Sequence, residues 1–221
     1  MISTRSLFPV LNGAPPAEKS AKKVILFEKK EPEKTYEEIK KQHAVDKIFR
    51  LSVFLTDKNA LIFSTPAGPD MNETLNDLVF CSKEGAAVMK HLGIPPFIGI
   101  ISGGRKGDLG RNTTVDKTIH DAETLAEILK QENIPSKNYT ILIEDAIKEA
   151  NLLICPDSLS GEMILKTTAG VGEGREIGNI LLLKKGNGES LCTPVYLEQL
   201  TKKANPDDLK ILKEALETLQ R

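Results

Sequence analysis

The sequence predicts an α/β domain: a parallel sheet with helices on both faces. Three observations carry this. Short apolar runs of strand length alternate with amphipathic helical segments from Phe97 to Thr168. Two of these runs, Phe97–Ile101 and Leu152–Cys155, are apolar enough for strands buried on both faces. Each is followed by a polar loop and then a helix, the order that a parallel sheet requires.

Taken in order, the first 23 residues carry little regular pattern, and Pro15-Pro16 marks a loop or linker. The expected organisation is a poorly structured segment 1–23 and one α/β domain over 24–221. Val24–Phe27 reads as a strand. Glu28–His43, dense in Glu and Lys three or four apart, reads as a charged helix or a flexible charged segment. Ala60–Phe63 is the next strand. Glu73–Leu92 is a helix whose apolar stripe includes Leu75, Leu78, Val79, Ala86, Met89 and Leu92, with Gly93 as its C-cap.

After the Phe97–Ile101 strand comes the glycine-rich loop Ser102–Arg111, then a helix over Val115–Asn133. Tyr139–Ile143 reads as a strand, Asp145–Ala150 as a short helix, Leu152–Cys155 as a strand and Met163–Thr168 as the start of a helix. Ile180–Leu183 is a strand, Gly186–Gly188 a turn, and Asp207–Leu219 a closing amphipathic helix. Pro194–Leu200 is left open.

Composition excludes several functions. Thirty Lys plus Arg against 31 Asp plus Glu leave a net charge of -1, which gives no long-range pull toward nucleic acid or an anionic membrane. The chain has no Trp and is only 5% aromatic, which argues against a base-stacking surface. Three scattered cysteines and three histidines have no zinc spacing, and an odd cysteine count does not suggest a disulfide framework. Cys155 reads as a buried structural thiol. No apolar stretch approaches the roughly 20 residues of a membrane span. Pro9 breaks the only leader-like run, so a cytoplasmic location is expected.

Two loops are the candidate site. In Ser102–Arg111, Gly103, Gly104 and Gly107 let the backbone approach an anion. Arg105, Lys106 and Arg111 can add charge-assisted bonds, Ser102 another, and Asp108 can orient a base or accept a proton. The loop lacks the Lys-Ser/Thr pair of a P-loop. It equally suits a solvated turn. In Asp157–Lys166, Ser158 or Ser160 can cap a helix whose first turn favours an anion. Asp157 can act in proton transfer, Gly161 and Glu162 lie at the helix start, and Lys166 can point into a cleft. Plain helix capping is the alternative. Asp145, of the Glu144-Asp145 pair, is a third contributor or another cap. No nucleophile elbow is present, the sequence supplies no argument for a Ser–His–Asp triad, and His120 reads either as a packed or exposed helix residue or as a base.

The motifs in Ile98–Lys166 resemble the phosphate acetyl/butyryltransferase superfamily, which includes the acyl-phosphate synthesis proteins. The closest resemblance is to a methanogenesis marker family of methyltransferase-related X subunits. Ser102–Arg111 is similar to that family's Ser-Gly-Gly-Arg-x-Gly-Asp-x-Gly-Arg loop, and Ile143–Ala146 to its Ile-Glu-Asp-Ala segment. Pro156–Glu162 is similar to its Pro-Asp-x-x-Ser-Gly-Asn stretch, with Glu162 in place of Asn. The resemblance implies a phosphotransacetylase-like fold, related to isocitrate dehydrogenase, in a form shorter than the two-lobed relatives. It implies a phosphorylated or acyl-type small molecule, or a coenzyme A-type substrate, between the loops. Asp157, Asp145 and Lys166 would be catalytic, and no metal or other cofactor would be needed. It also implies a homodimer, or a methyltransferase protein as partner. The Ser-Arg-Gly segment found late in phosphotransacetylases has only Ser190-Leu191-Cys192 as its counterpart. That departure opens the alternative of a non-catalytic accessory or regulatory protein of a methyl-transfer system.

Overall fold

A computed structural model describes residues 4–9, 24–28, 32–191, 195–199 and 205–218. The chain order is β1 (Val24–Glu28), α1 (Pro32–His43), β2 (Lys47–Leu55), β3 (Leu61–Thr65), α2 (Leu75–His91), β4 (Ile98–Ile101) and α3 (Thr113–Gln131). There follow β5 (Ser136–Thr140), α4 (Ile143–Glu149), β6 (Leu152–Ile154), α5 (Ser158–Lys166), β7 (Arg175–Lys184), β8 (Ser190–Leu191), β9 (Val195–Gln199) and α6 (Pro206–Thr218). One sheet of nine strands runs β1-β9-β7-β2-β3-β6-β4-β5, with β8 paired to β7.

Helices cover both faces, as expected. Side chains of α2, α3 and α6 pack with Phe8 into the largest core cluster on one face. The other face holds two clusters, one under α4 and α5 and one under α1. Alternation along β2 explains the division: Phe49, Leu51, Val53 and Leu55 enter the first cluster, while Ile48 and Phe54 point the other way. Phe8 is 0% exposed, so residues 4–9 of the leading segment pack on the domain.

The expectation of an all-parallel sheet needs correction. β3, β6, β4 and β5 are mutually parallel, as are β1 and β9. β2 is antiparallel to both β3 and β7, and β7 is antiparallel to β8 and β9. β2 was not anticipated. Lys47, Arg50 and Ser52 break the apolar pattern that a doubly buried strand normally shows. The strand expected at Tyr139–Ile143 lies earlier, at Ser136–Thr140, an edge position that tolerates its polar sequence. Beyond it the chain turns, with the Leu142 amide donating to the Tyr139 carbonyl, and Ile143 opens α4. Residues 10–23, including the Pro15-Pro16 loop, together with Cys192 and Leu219, lie outside the described residues.

The packing explains two of the glycines. A Cβ on Gly161 would fall 2.1 Å from the Pro66 carbonyl oxygen, so only glycine lets α5 press onto the loop after β3. Gly68, with φ +113, lies under Arg50, whose Nε would sit 2.7 Å from any added Cβ.

Candidate functional site

β4 and β6 are adjacent and parallel, with Ile100 opposite Ile154. Beyond β4 the chain turns to α3 on the first face; beyond β6 it turns to α5 on the second. Neighbouring strands whose following helices leave to opposite faces open a crevice at their carboxyl ends, the usual place for a ligand in such sheets. The 102–111 and 157–166 segments follow these two strands at their carboxyl ends. They share one rim and lie over opposite faces.

The first loop is folded on itself. Ser102 is 2% exposed: its amide extends the ladder to Thr140 and its hydroxyl donates to the Gly104 carbonyl at 2.8 Å. The Gly103 amide donates to Thr118 Oγ1 of α3 at 2.9 Å. A Cβ on Gly104 would lie 2.8 Å from Val115 Cγ1, so this glycine serves helix packing. Gly107 faces open space. Asp108 closes the turn, accepting from the Arg105 amide at 2.8 Å and from Arg111 Nη1 at 2.7 Å. Arg105, Lys106 and Arg111 are exposed, and Lys106 has only a distant Glu123 at 3.8 Å. Three cations and one carboxylate leave the loop electropositive.

The second segment starts with its helix N-terminus already occupied. Asp157 is the N-cap of α5 and accepts from the Ser160 amide at 2.7 Å. The Ser158 amide donates to Glu73 Oε1 at 2.9 Å, and the Ser158 hydroxyl makes a short bond to the same oxygen. Two carboxylates therefore take two of the first-turn amides that could have met an anion. The expectation that Ser158 or Ser160 caps this helix is corrected: the cap is Asp157. Glu162 forms an ion pair at 2.7 Å with Nη1 of Arg50, a β2 side chain only 8% exposed. Lys166, 60% exposed, lies 3.8 Å from the other oxygen of Glu162.

Arg50 was missed in the sequence because it stands alone in a strand that itself went unread. It adjoins a buried polar row on the second face. Ser64, Ser52, Asn179 and Glu198 are cross-strand neighbours in succession on β3, β2, β7 and β9, and all are 0% exposed. Asn179 donates to Glu198 Oε2 at 2.8 Å, and Tyr36 of α1 makes a short bond to Oε1. Burial, with the Glu198 charge second, pushes the Tyr36 phenol well above its usual range.

Asp145 lies just beyond β5, the strand whose Thr140 carbonyl accepts from the Ser102 amide. It occupies the first turn of α4 and pairs with Lys148 at 2.9 Å. Among the described residues, no hydrogen bond or ion pair joins the two loops directly. Cys155 is 0% exposed, 3.4 Å from Ser64 Oγ, and burial pushes its thiol up to about 12, as a structural thiol requires. No group of three or more His, Cys, Asp or Glu among the described residues could hold a metal.

This architecture is that of the phosphotransacylases. A branched-chain phosphotransacylase from Enterococcus faecalis superposes with a TM-score of 0.63 at 14% identity, over 90% of this chain and 73% of that one. The EutD phosphotransacetylase from Staphylococcus aureus gives 0.57 at 14% identity, over 80% and 55%. At such identity the likeness concerns the fold alone. No family model matches the sequence.

More specifically, the chain is a homologue of the mtx subunit X proteins, and the resemblance read from the three motifs holds. It is 39% identical over 149 residues to the “Putative methyltransferase mtx subunit X” of Methanosarcina mazei, covering 67% of this chain and 53% of that one. The protein of the same description from Methanosarcina barkeri is 42% identical over 137 residues, covering 62% and 51%. An “Uncharacterized methyltransferase” of Methanocaldococcus jannaschii is 30% identical over 163 residues, covering 71% and 61%. The chain thus spans about half the length of the first two relatives.

Proposed function

We propose that this protein binds a phosphorylated or acyl-type small molecule, including a coenzyme A-type substrate, in the crevice between residues 102–111 and 157–166. The observation that carries the reading is the placement of β4 and β6: adjacent, parallel, with α3 and α5 leaving to opposite faces. Arg105, Lys106 and Arg111 supply exposed positive charge on one side, and Lys166 supplies it on the other. A transferase in such a crevice would act by holding two reactants together and meeting developing negative charge, not through a covalent intermediate. Asp157 and Asp145 would serve as bases through Oδ2, while Oδ1 stays on the Ser160 amide and on Lys148 respectively.

Isothermal titration at low salt with inorganic phosphate, acetyl phosphate and coenzyme A tests the reading. Heat of binding is expected for acetyl phosphate or coenzyme A. The double variant Arg105→Ala/Arg111→Ala is expected to weaken it about tenfold or more, the scale of one or two charge-assisted bonds. No binding of any of the three would overturn the proposal.

One observation favours a second reading, an accessory protein of a methyl-transfer system. Two of the first-turn amides of α5, those of Ser158 and Ser160, are held by Glu73 and Asp157 and not offered to an anion. The relatives' printed name, a methyltransferase subunit, fits it. Stable co-purification with a methyltransferase, without turnover of acyl phosphate, would support it over the first.

A further inference from the structure

We infer that Glu162 is the specificity-determining residue of this crevice, because its carboxylate occupies Arg50 and denies that guanidinium to phosphate and other dianions. This rests on the binding reading above and names what the site selects.

Among the described residues, Arg50 is the only buried arginine. Its backbone amide donates to the Ala67 carbonyl at 2.7 Å, on the loop that Gly161 of α5 presses against. The guanidinium therefore sits where β2, the loop after β3 and α5 meet, beside the rim. Arginine at such a place is a ready seat for a phosphate or carboxylate. Here the seat is filled from within. Nη1 lies 2.7 Å from Glu162 Oε1, and Nε lies 3.9 Å from Glu198 Oε2.

Two cations, Arg50 and Lys166, face two carboxylates, Glu162 and Glu198, so the seat is charge-balanced before any anion arrives. A dianion could reach Arg50 only by displacing Glu162 and leaving that carboxylate short of its counter-charge with little water to screen it, so phosphoryl groups are left to Arg105, Lys106 and Arg111. The seat is nevertheless incompletely satisfied. Arg50 Nε, Glu162 Oε1, Ser52 Oγ and Asn179 Oδ1 are all buried without a well-aligned hydrogen-bond partner. The Arg50–Glu162 contact is thus a charge contact lacking hydrogen-bond alignment, a pairing that can be exchanged. Glu162, 23% exposed and flanked by the solvated Lys166, is the more accessible member of the pair. Wild-type protein should accept groups that donate a hydrogen bond to Glu162, such as the amide of a pantetheine-like arm, in preference to bare phosphate.

The test is a gain of binding. Glu162→Gln removes the charge and keeps the shape. Its affinity for inorganic phosphate, measured by titration calorimetry at low salt, is expected to rise at least tenfold over wild type. The double variant Glu162→Gln/Arg50→Met should show no such rise. A second measurement uses Glu162→Ala with acetate, which should fill the vacated seat in the variant and not bind the wild type. Unchanged phosphate affinity in Glu162→Gln, or an equal gain in the double variant, would overturn the inference. Wild-type binding of acetyl phosphate or coenzyme A without a Glu162→Gln gain would sink this inference alone. A gain in Glu162→Gln with no wild-type binding of any ligand would sink only the binding reading.

Discussion

Gly161 has the least tolerance for change of any residue near the crevice. A methyl group there would overlap the Pro66 carbonyl oxygen at 2.1 Å, and that oxygen is backbone, unable to swing away as a side chain would. Gly161→Ala should push α5 off the loop after β3 and destabilise the fold by about 2–3 kcal/mol, the range of overpacking. Urea unfolding at neutral pH checks this. A midpoint equal to wild type would mean that α5 rides on the loop more loosely than the close approach implies. Gly104 is the milder case: its would-be neighbour is a Val115 methyl group at 2.8 Å, at the tip of a side chain. From the sequence, Gly104 reads as an anion-approach position and Gly161 as part of a helix start that favours an anion. Their packing roles were not legible there, because the residues they touch are remote in the chain.

At the scale of elements, the two helices that bound the crevice start in different ways. α3 is capped by Asn112, whose side-chain oxygen accepts from the Thr114 and Val115 amides at 2.9 and 3.2 Å. Asn112→Ala should cost about 1 kcal/mol, the usual loss for such a cap, read as a lowered thermal midpoint with the native circular dichroism spectrum retained. α5 draws on two carboxylates from different elements, so its start is tied to the β3–α2 connection through Glu73. Strand–loop–helix order around the crevice was legible in the sequence. Ile98–Ile101, Leu152–Ile154 and α3 fall within a few residues of expectation, because buried parallel strands and amphipathic stripes have strong local signatures. The segment read as the second loop is instead the helix α5, which starts at Ser158 and not at Met163, behind its Asp157 cap. β2 was not legible. Its polar residues Lys47 and Arg50 are accommodated by partners on α2 and α5 that no local window contains, and Ser52 lies opposite Asn179 of β7. The same blindness hid Arg50, and with it the neutralisation of Glu162, which from sequence alone looked like an unpaired negative charge.

Across the whole molecule, one carboxylate joins the antiparallel half of the sheet to the helical layer. Lys47 of β2 and Lys184 of β7 are direct cross-strand partners, a like-charge pairing that is unfavourable by itself. Asp77 of α2, 2% exposed, sits between them, 2.7 Å from Lys47 Nζ and 2.6 Å from Lys184 Nζ, and completes a capping box with Thr74. Burial alone would push its carboxyl up; the bonds from Lys184, Lys47 and Thr74 overcome this and hold it well below the ordinary carboxylate range. A carboxylate with a depressed folded pKa contributes stability above its unfolded pKa of 3.8, and that contribution is lost as pH falls toward the folded value. Asp77→Asn leaves two facing lysines without their counter-charge and should destabilise the protein by on the order of 3 kcal/mol at pH 7. The difference from wild type should hold from pH 7 to about pH 5 and then shrink steadily toward pH 2, as the wild-type carboxylate becomes protonated. Urea midpoints of both proteins at several pH values measure it. A gap that stayed constant into strong acid would show that Asp77 acts through the shape of its hydrogen bonds and not through its charge, and the sheet and α2 would then have to be held together by apolar packing alone.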